Sequence, residues 1–104
     1  MSGFRRGSTP RNTFRVNIDL REATVYLTYE QNGRTIVEKT NDDLTITEKT
    51  IVSTLSQKET LRFKQNEEVE MQIRYVLSDG TADVSNIMKA TAERVLKEGE
   101  IEYV

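Results

Sequence analysis

The sequence contains no cysteine and no histidine. Without cysteine the chain cannot form a disulfide, a thiolate zinc site or a cysteine nucleophile. Without histidine it lacks the usual general base, the serine–histidine nucleophile system and the commonest metal ligand. We therefore expect a protein that is not an enzyme and that holds no cofactor and no metal.

Long apolar runs are also missing. No segment approaches the roughly 20 apolar residues that span a bilayer, and the N-terminus lacks the apolar core of a secretory signal. The chain has 104 residues, of which 36% are apolar and 31% charged. The length indicates one small domain with a single core. The missing apolar runs and secretory signal indicate a protein made in the cytoplasm and without a membrane partner.

The remaining polar groups do not form a recognisable chemical site. Single glycines make neither a P-loop nor a dinucleotide fingerprint, and no small-molecule substrate is expected. Carboxylates are plentiful, but a glycosidase pair must face each other across a cleft, for which a small domain has little room. Oxygen atoms at 41–43, together with Asp79 or Asp83, could bind calcium, but without EF-hand spacing they are better explained as turn residues.

The charge is distributed unevenly along the chain. Residues 1–18 hold four arginines and no acid, a charge of +4, which leaves −6 for the rest of a chain of net charge −2. With Gly3, Gly7, Ser8 and Pro10 among them, residues 1–18 are predicted to be a flexible basic arm, and residues 19–104 the folded domain. Such an arm favours self-association or an acidic protein partner through Arg5, Arg6 and Arg11. Nucleic acid is not an expected partner, because the acidic body would repel a duplex.

Alternation of apolar and polar residues predicts most of the strands. In residues 22–33, Ala23, Val25, Leu27 and Tyr29 fall on one face and Tyr26 on the other. Asn32-Gly33 supplies the two positive-φ positions of a type I′ turn, so residues 23–40 are predicted to form a hairpin. Further strands are predicted at 44–47, 50–55 and 69–75, with a turn at 78–81 that reverses the chain from Ala82.

A helix-start signal interrupts these strands. Ser56 and Glu59 have the spacing of a capping box, in which each side chain bonds the other residue's backbone N–H. Because strand-like residues resume by Val69, the helix is predicted to be a crossover of about two turns near 56–63 that carries the chain between two sheets. Leu55, Leu61 and Phe63 are expected to point inward.

Residues 84–99 fit either a helix or a strand. Ser85 as a cap, several helix-favouring residues and Gly99 at the end favour a helix. Ala82, Val84, Met88, Ala90 and Ala92 also fit an inward strand face, as a partner for the 69–75 strand. The residues alone favour the helix.

The order of these segments resembles small prophage-encoded structural proteins of Gram-positive bacteria. The segments are "DLREATVYLTYEQNGRTIVEKTNDDLTI", "TLSQKETLRF", "VEMQIRYVLSDGTADVSNI" and "VLKEGEI". More distantly they resemble the immunoglobulin-like N-terminal domain of phage baseplate upper proteins. The resemblance covers about residues 19–101 and implies an all-β, immunoglobulin-like antiparallel β-sandwich. It moves the prediction for 84–98 to a strand, with an α+β fold carrying a C-terminal helix at 86–98 as the alternative.

The function that the resemblance implies is non-enzymatic. We expect a phage or prophage structural or assembly protein of the tail or baseplate type, acting through protein–protein contacts or self-association in a particle and associated with the virion. Tyr26, an outward-facing aromatic residue, joins the three arginines as a predicted contact. The alternative is a carbohydrate- or surface-binding sandwich that uses Tyr26 and an end loop containing Asp42 and Asp79.

Overall fold

The computed structural model describes residues 3–104, which contain nine strands and two short helical segments. The strands are β1 (Phe4–Arg5), β2 (Arg11–Arg15), β3 (Thr24–Gln31), β4 (Arg34–Thr40), β5 (Leu44–Ile46), β6 (Thr50–Thr54), β7 (Glu67–Val76), β8 (Ala82–Val84) and β9 (Met88–Glu93). A single turn of 3-10 helix (Asn41–Asp43) follows β4, and helix α1 (Gln57–Thr60) joins β6 to β7.

The strands form two sheets. The large sheet has the order β1-β9-β7-β3-β4, with β8 also paired to β7, and the small sheet has the order β2-β6-β5. In the variable-type immunoglobulin sandwich, strands G, F, C and C′ lie in the places of β9, β7, β3 and β4, and strands B, E and D in those of β2, β6 and β5. The predicted immunoglobulin-like all-β sandwich is therefore confirmed. One detail differs: β1 runs parallel to β9, so the large sheet is mixed rather than wholly antiparallel.

The β3–β4 hairpin forms as predicted. Asn32 has φ of 52° and Gly33 φ of 77°, the two positive values that a type I′ turn requires. Along β3, Val25, Leu27 and Tyr29 are buried, while Tyr26 is exposed. The alternation in the sequence thus identifies the core face of this central strand.

Helix α1 begins with the predicted capping box. The Glu59 backbone N–H donates to Ser56 Oγ (3.1 Å), and the Ser56 N–H donates to Glu59 Oε1 (2.9 Å). The helix is one turn rather than two, and Leu55 and Phe63 are buried on either side of it while Leu61 is half-buried. It carries the chain from the small sheet to the large one, as predicted.

Glu59 also forms a mostly buried ion pair with Lys39 of β4, at 2.8 Å. Burial raises the pKa of Glu59, but hydrogen bonds from Lys39 and Ser56 outweigh it, so the net pKa is lowered. The ionised carboxylate therefore stabilises the fold above its unfolded-state pKa, and this contribution is lost as the pH falls through the folded-state pKa.

A polar contact joins the two sheets in the middle of the core. The hydroxyl of buried Tyr29 (β3) donates to Ser53 Oγ of β6 at 2.9 Å and accepts from Asn12 Nδ2 of β2 at 2.8 Å. Burial raises the pKa of Tyr29 despite these two bonds, so the hydroxyl stays protonated. In antibody domains a disulfide next to a tryptophan joins the sheets; this sequence has neither cysteine nor tryptophan.

The final strand is confirmed, and the alternative C-terminal helix at 86–98 is wrong. β9 pairs with β7 and buries Ala90 and Ala92. Ala82 and Val84, predicted to face inward, are both exposed instead. The reason is a break in the strand at Ser85, whose N–H and Oγ bond the Ile73 backbone. This break separates β8 from β9, so the inward positions of β9 do not continue into β8.

The predicted flexible arm of residues 1–18 is wrong for β1 and β2, which lie in the large and small sheets; residues 1–2 lie outside the described residues. Gly3 lies so close to β9 that a Cβ there would overlap the carbonyl oxygen of Thr91. Between the strands, Thr60 Oγ1 of α1 donates to the Ser8 carbonyl (2.8 Å) and accepts from the Gly7 N–H (2.9 Å). The sandwich therefore begins well before residue 19.

Candidate functional site

The structure places the four predicted contact residues at separate points. Tyr26 lies on the outward face of the large sheet, and Arg11 lies on β2 in the small sheet. Arg5 and Arg6 lie beside the end of β9, and the guanidinium of Arg5 donates to the Arg94 carbonyl at 2.9 Å. The four residues therefore do not form one contact surface.

Arg6 is a structural residue rather than an exposed contact. Its side chain is 13% exposed, and its guanidinium donates to the carbonyls of Phe63 (2.6 Å) and Leu61 (2.9 Å) just after α1. A third bond joins it to Glu98 Oε2 at 2.8 Å. Arg6 thus holds the α1 segment and the chain after β9 against β1, and the prediction that it contacts a partner is not supported by its geometry.

Tyr26 belongs to a groove of about 670 Å³ on the outward face of β3, β7 and β4. Cross-strand register places Tyr26 opposite Arg74, Thr28 opposite Gln72 and Thr24 opposite Val76. Tyr26 is 44% exposed, so part of its side chain is open for contact. We call the residues that line this groove the Tyr26 face.

One end of the Tyr26 face is acidic. Glu30 of β3 lies directly opposite Glu70 of β7, and Glu38 of β4 lines the same groove. Among residues 3–104, no lysine or arginine nitrogen lies within ion-pair distance of these three carboxylates. Like charges directly opposite each other on a sheet destabilise it by up to about 1 kcal/mol. Lys89 of β9 lies opposite Glu70 on its other side but is ion-paired with Glu68 at 3.6 Å, so this end of the face keeps an excess of negative charge.

The other end of the Tyr26 face is apolar. Val76 and Ile87, which line the groove, are 38% and 53% exposed, and β8 pairs beside the end of β7. Sequence reasoning missed this patch, because it gave Val76 and Ile87 no contact role. One signal was available: polar Asn86 falls at the inward position between Val84 and Met88 and breaks the predicted strand face.

The acidic residues of the turns have local roles. Asp43 accepts from the Thr40 N–H (3.1 Å), and Asp79 accepts from the Thr81 N–H (2.8 Å), a bond that lowers the Asp79 pKa. Asp42, like Asp79, is exposed. The described part of the chain holds no cluster of three acidic groups arranged for a metal ion. The predicted end loop is thus a pair of turns rather than an assembled site.

No helix within residues 3–104 combines the length and apolar character needed to cross a bilayer.

The fold defines the class of this protein as an immunoglobulin-like sandwich with variable-type strand order. Neither a protein-family model nor a curated protein matches the sequence. Among solved structures, the chain is similar to the V domain of amphioxus IgVJ-C2, at 8% identity and a TM-score of 0.36, over 89% of this chain and 99% of that one. A similarity this low says nothing of function, and the fold assignment stands on the strand order.

Proposed function

We propose that this protein is a non-enzymatic structural or assembly component of a phage tail or baseplate, and that it docks to other protein subunits through the Tyr26 face. The sequence resemblance supports the setting in a particle. The observation that supports docking is the Tyr26 face itself, which combines an exposed aromatic ring, an apolar end and unbalanced carboxylates.

The composition of the Tyr26 face matches that of a protein interface. Tyrosine is enriched among the residues that dominate binding energy, and apolar patches with a polar rim mark interaction sites. The partner surface we propose carries arginine or lysine opposite Glu30 and Glu70. Those cations would relieve the repulsion between the two opposed carboxylates, which Lys89, shared with Glu68, offsets only in part.

Replacing Tyr26 with alanine tests this proposal. We expect the substitution to cost about 2 kcal/mol of binding energy, or roughly 30-fold in the dissociation constant, because it removes the central aromatic contact. The measurements are light scattering of the chain at increasing concentration and binding to the proteins encoded beside it. Thr45→Ala, an exposed residue of the small sheet, is the control and should change neither. A wild-type protein that stays monomeric and binds none of those proteins would contradict the proposal.

A carbohydrate-binding module is the second candidate. Tyr26 lies beside Arg74 and one residue pair from Gln72 and Thr28, and an aromatic ring flanked by amide, guanidinium and hydroxyl groups can stack on and bond a sugar ring. A glycan array with the wild type and Tyr26→Ala separates the two candidates. An assembly protein gives no signal, whereas a module gives a signal that the substitution removes.

A further inference from the structure

Strand β2 lies at an edge of the small sheet. Leu55 N–H donates to the Pro10 carbonyl and Val16 N–H to the Lys49 carbonyl, so residues 10, 12, 14 and 16 bond toward β6. The backbone groups of Arg11, Thr13 and Arg15 therefore point away from the sheet. Within residues 3–104 no other segment bonds them. β2 thus presents an unpaired edge, on the side where the immunoglobulin sandwich carries strand A.

An apolar opening lies next to this edge. It has a volume of about 560 Å³ and extends between the two sheets at the end where β7 finishes. We call it the β2 slot; its apolar lining includes Phe14, Val16, Ile18, Ile73, Tyr75 and Met88. Phe14, Val16, Tyr75 and Met88 pack against the core but are only partly buried. A strand added to β2 would cover them.

The same chain contains a segment with the matching pattern. In residues 100–104, Glu100 and Glu102 alternate with Ile101 and Tyr103, as outward Arg11 and Arg15 alternate with inward Phe14 on β2. Ile101 is 62% exposed and Tyr103 is fully exposed. A strand with this period can set one glutamate opposite an arginine and the other opposite Thr13, diagonal to the second arginine, with its apolar side chains in the slot.

The segment is held away from its own slot. The Gln57 side chain of α1 bonds both backbone groups of Ile101, at 2.9 and 3.2 Å, beside the start of β7. The slot lies at the opposite end of β7, next to Tyr75. The occupant that fits is therefore the 100–104 segment of a second copy. Its own Gln57 bonds can remain, because with Glu100 and Glu102 opposite the outward residues of β2 the Ile101 backbone groups point away from β2.

Charge also disfavours a symmetric contact in which the β2 edges of two copies pair with each other. Two β2 edges paired antiparallel about Thr13 would set Arg11 of each copy against Arg15 of the other, which is unfavourable. The acidic 100–104 segment has the complementary sign.

We propose that residues 100–104 of one copy add as a strand to β2 of the next copy and fill its β2 slot. Strand addition of this kind gains affinity from main-chain bonds and specificity from alternate side chains. The contact is heterologous, so repetition gives a ring or an open filament. It deepens the proposed assembly function but uses a different surface from the Tyr26 face.

A charge exchange tests the contact in full-length protein. Variant one carries Arg11→Glu and Arg15→Glu, and variant two carries Glu100→Arg and Glu102→Arg. Each variant alone places like charges together, and we expect it to remain at the single-chain mass of 12.0 kDa by light scattering. Mixed together, each presents the charge that the other needs, and the mixture is expected to regain the wild-type mass. Restored association also shows that both variants fold.

Thr13→Pro provides a second test without a charge change. Proline is tolerated on an edge strand where the N–H faces outward, so the fold is retained, and we expect self-association to weaken about tenfold or more. The inference is overturned if the wild type stays at single-chain mass at every concentration. It is also overturned if the mixed variants do not recover, or if Thr13→Pro associates as the wild type does. Association that Tyr26→Ala abolishes and these variants leave intact would retain the proposed function and reject this contact.

Discussion

Replacing Phe63 with alanine is expected to lower the free energy of unfolding by about 3–5 kcal/mol, the range for removing a fully buried phenylalanine. Phe63 is 1% exposed and follows α1, where the chain enters the large sheet. Its ring packs edge-on against Phe4 of β1, with centroids 5.3 Å apart, and against Tyr29 of β3 at 6.2 Å. The substitution therefore leaves a cavity where the first strand, the crossover and the central strand meet.

Urea unfolding followed by circular dichroism measures this loss. Leu96→Ala, which truncates a side chain that is 84% exposed, is the control and should stay within about 0.5 kcal/mol of the wild type. If Phe63→Ala lowers the free energy of unfolding by less than about 1 kcal/mol, Phe63 does not contribute to the core as the structure indicates.

Replacing Arg6 with alanine is expected to destabilise the fold by about 2 kcal/mol or more, because hydrogen bonds from charged groups contribute about 1.5–3 kcal/mol and two carbonyls lose their donor. Arg6→Lys keeps the charge but not the planar fork, and should recover only part of the loss. Arg62→Ala, an exposed arginine of the same segment, is the matched control. If Arg6→Ala and Arg62→Ala unfold at the same urea concentration, Arg6 has no structural role.

The central strands and the crossover could be predicted from the sequence because their signals are local. The alternation from Ala23 to Tyr29, the Asn32-Gly33 turn and the Ser56–Glu59 capping box each depend on residues a few positions apart. The structure confirms all three. The parallel β1–β9 pair has no local signal, since it joins residues nearly ninety positions apart.

The first two strands were missed for a physical reason. β1 has only two residues, too few to show an alternation. The inward face of β2 includes Asn12, and a polar residue at an inward position hides the alternation that identifies a strand. The Asn12 amide is satisfied by the hydroxyl of Tyr29 on the other sheet. That bond depends on how the sheets stack, and nothing near Asn12 in the sequence reveals it.

The features of the candidate sites also differ in whether a local sequence pattern could reveal them. Tyr26 could be predicted, because outward position on a strand follows from alternation. The opposition of Glu30 and Glu70 depends on the register between β3 and β7, residues forty positions apart. The edge of β2 is free because β2 is the outermost strand of the small sheet, which only the topology shows. Sequence patterns identify faces, whereas neighbours on a face come from the topology.

Amide hydrogen exchange of the wild type in dilute and concentrated solution tests the assembly account most directly. In dilute solution the outward amides of Arg11, Thr13 and Arg15 should exchange fast, while those of Asn12, Phe14 and Val16 exchange slowly. In concentrated solution the three outward amides and those of Glu100, Glu102 and Val104, which face β2 in the added strand, should become protected together. Identical exchange at both concentrations, in a protein that keeps the mass of one chain, would contradict the account.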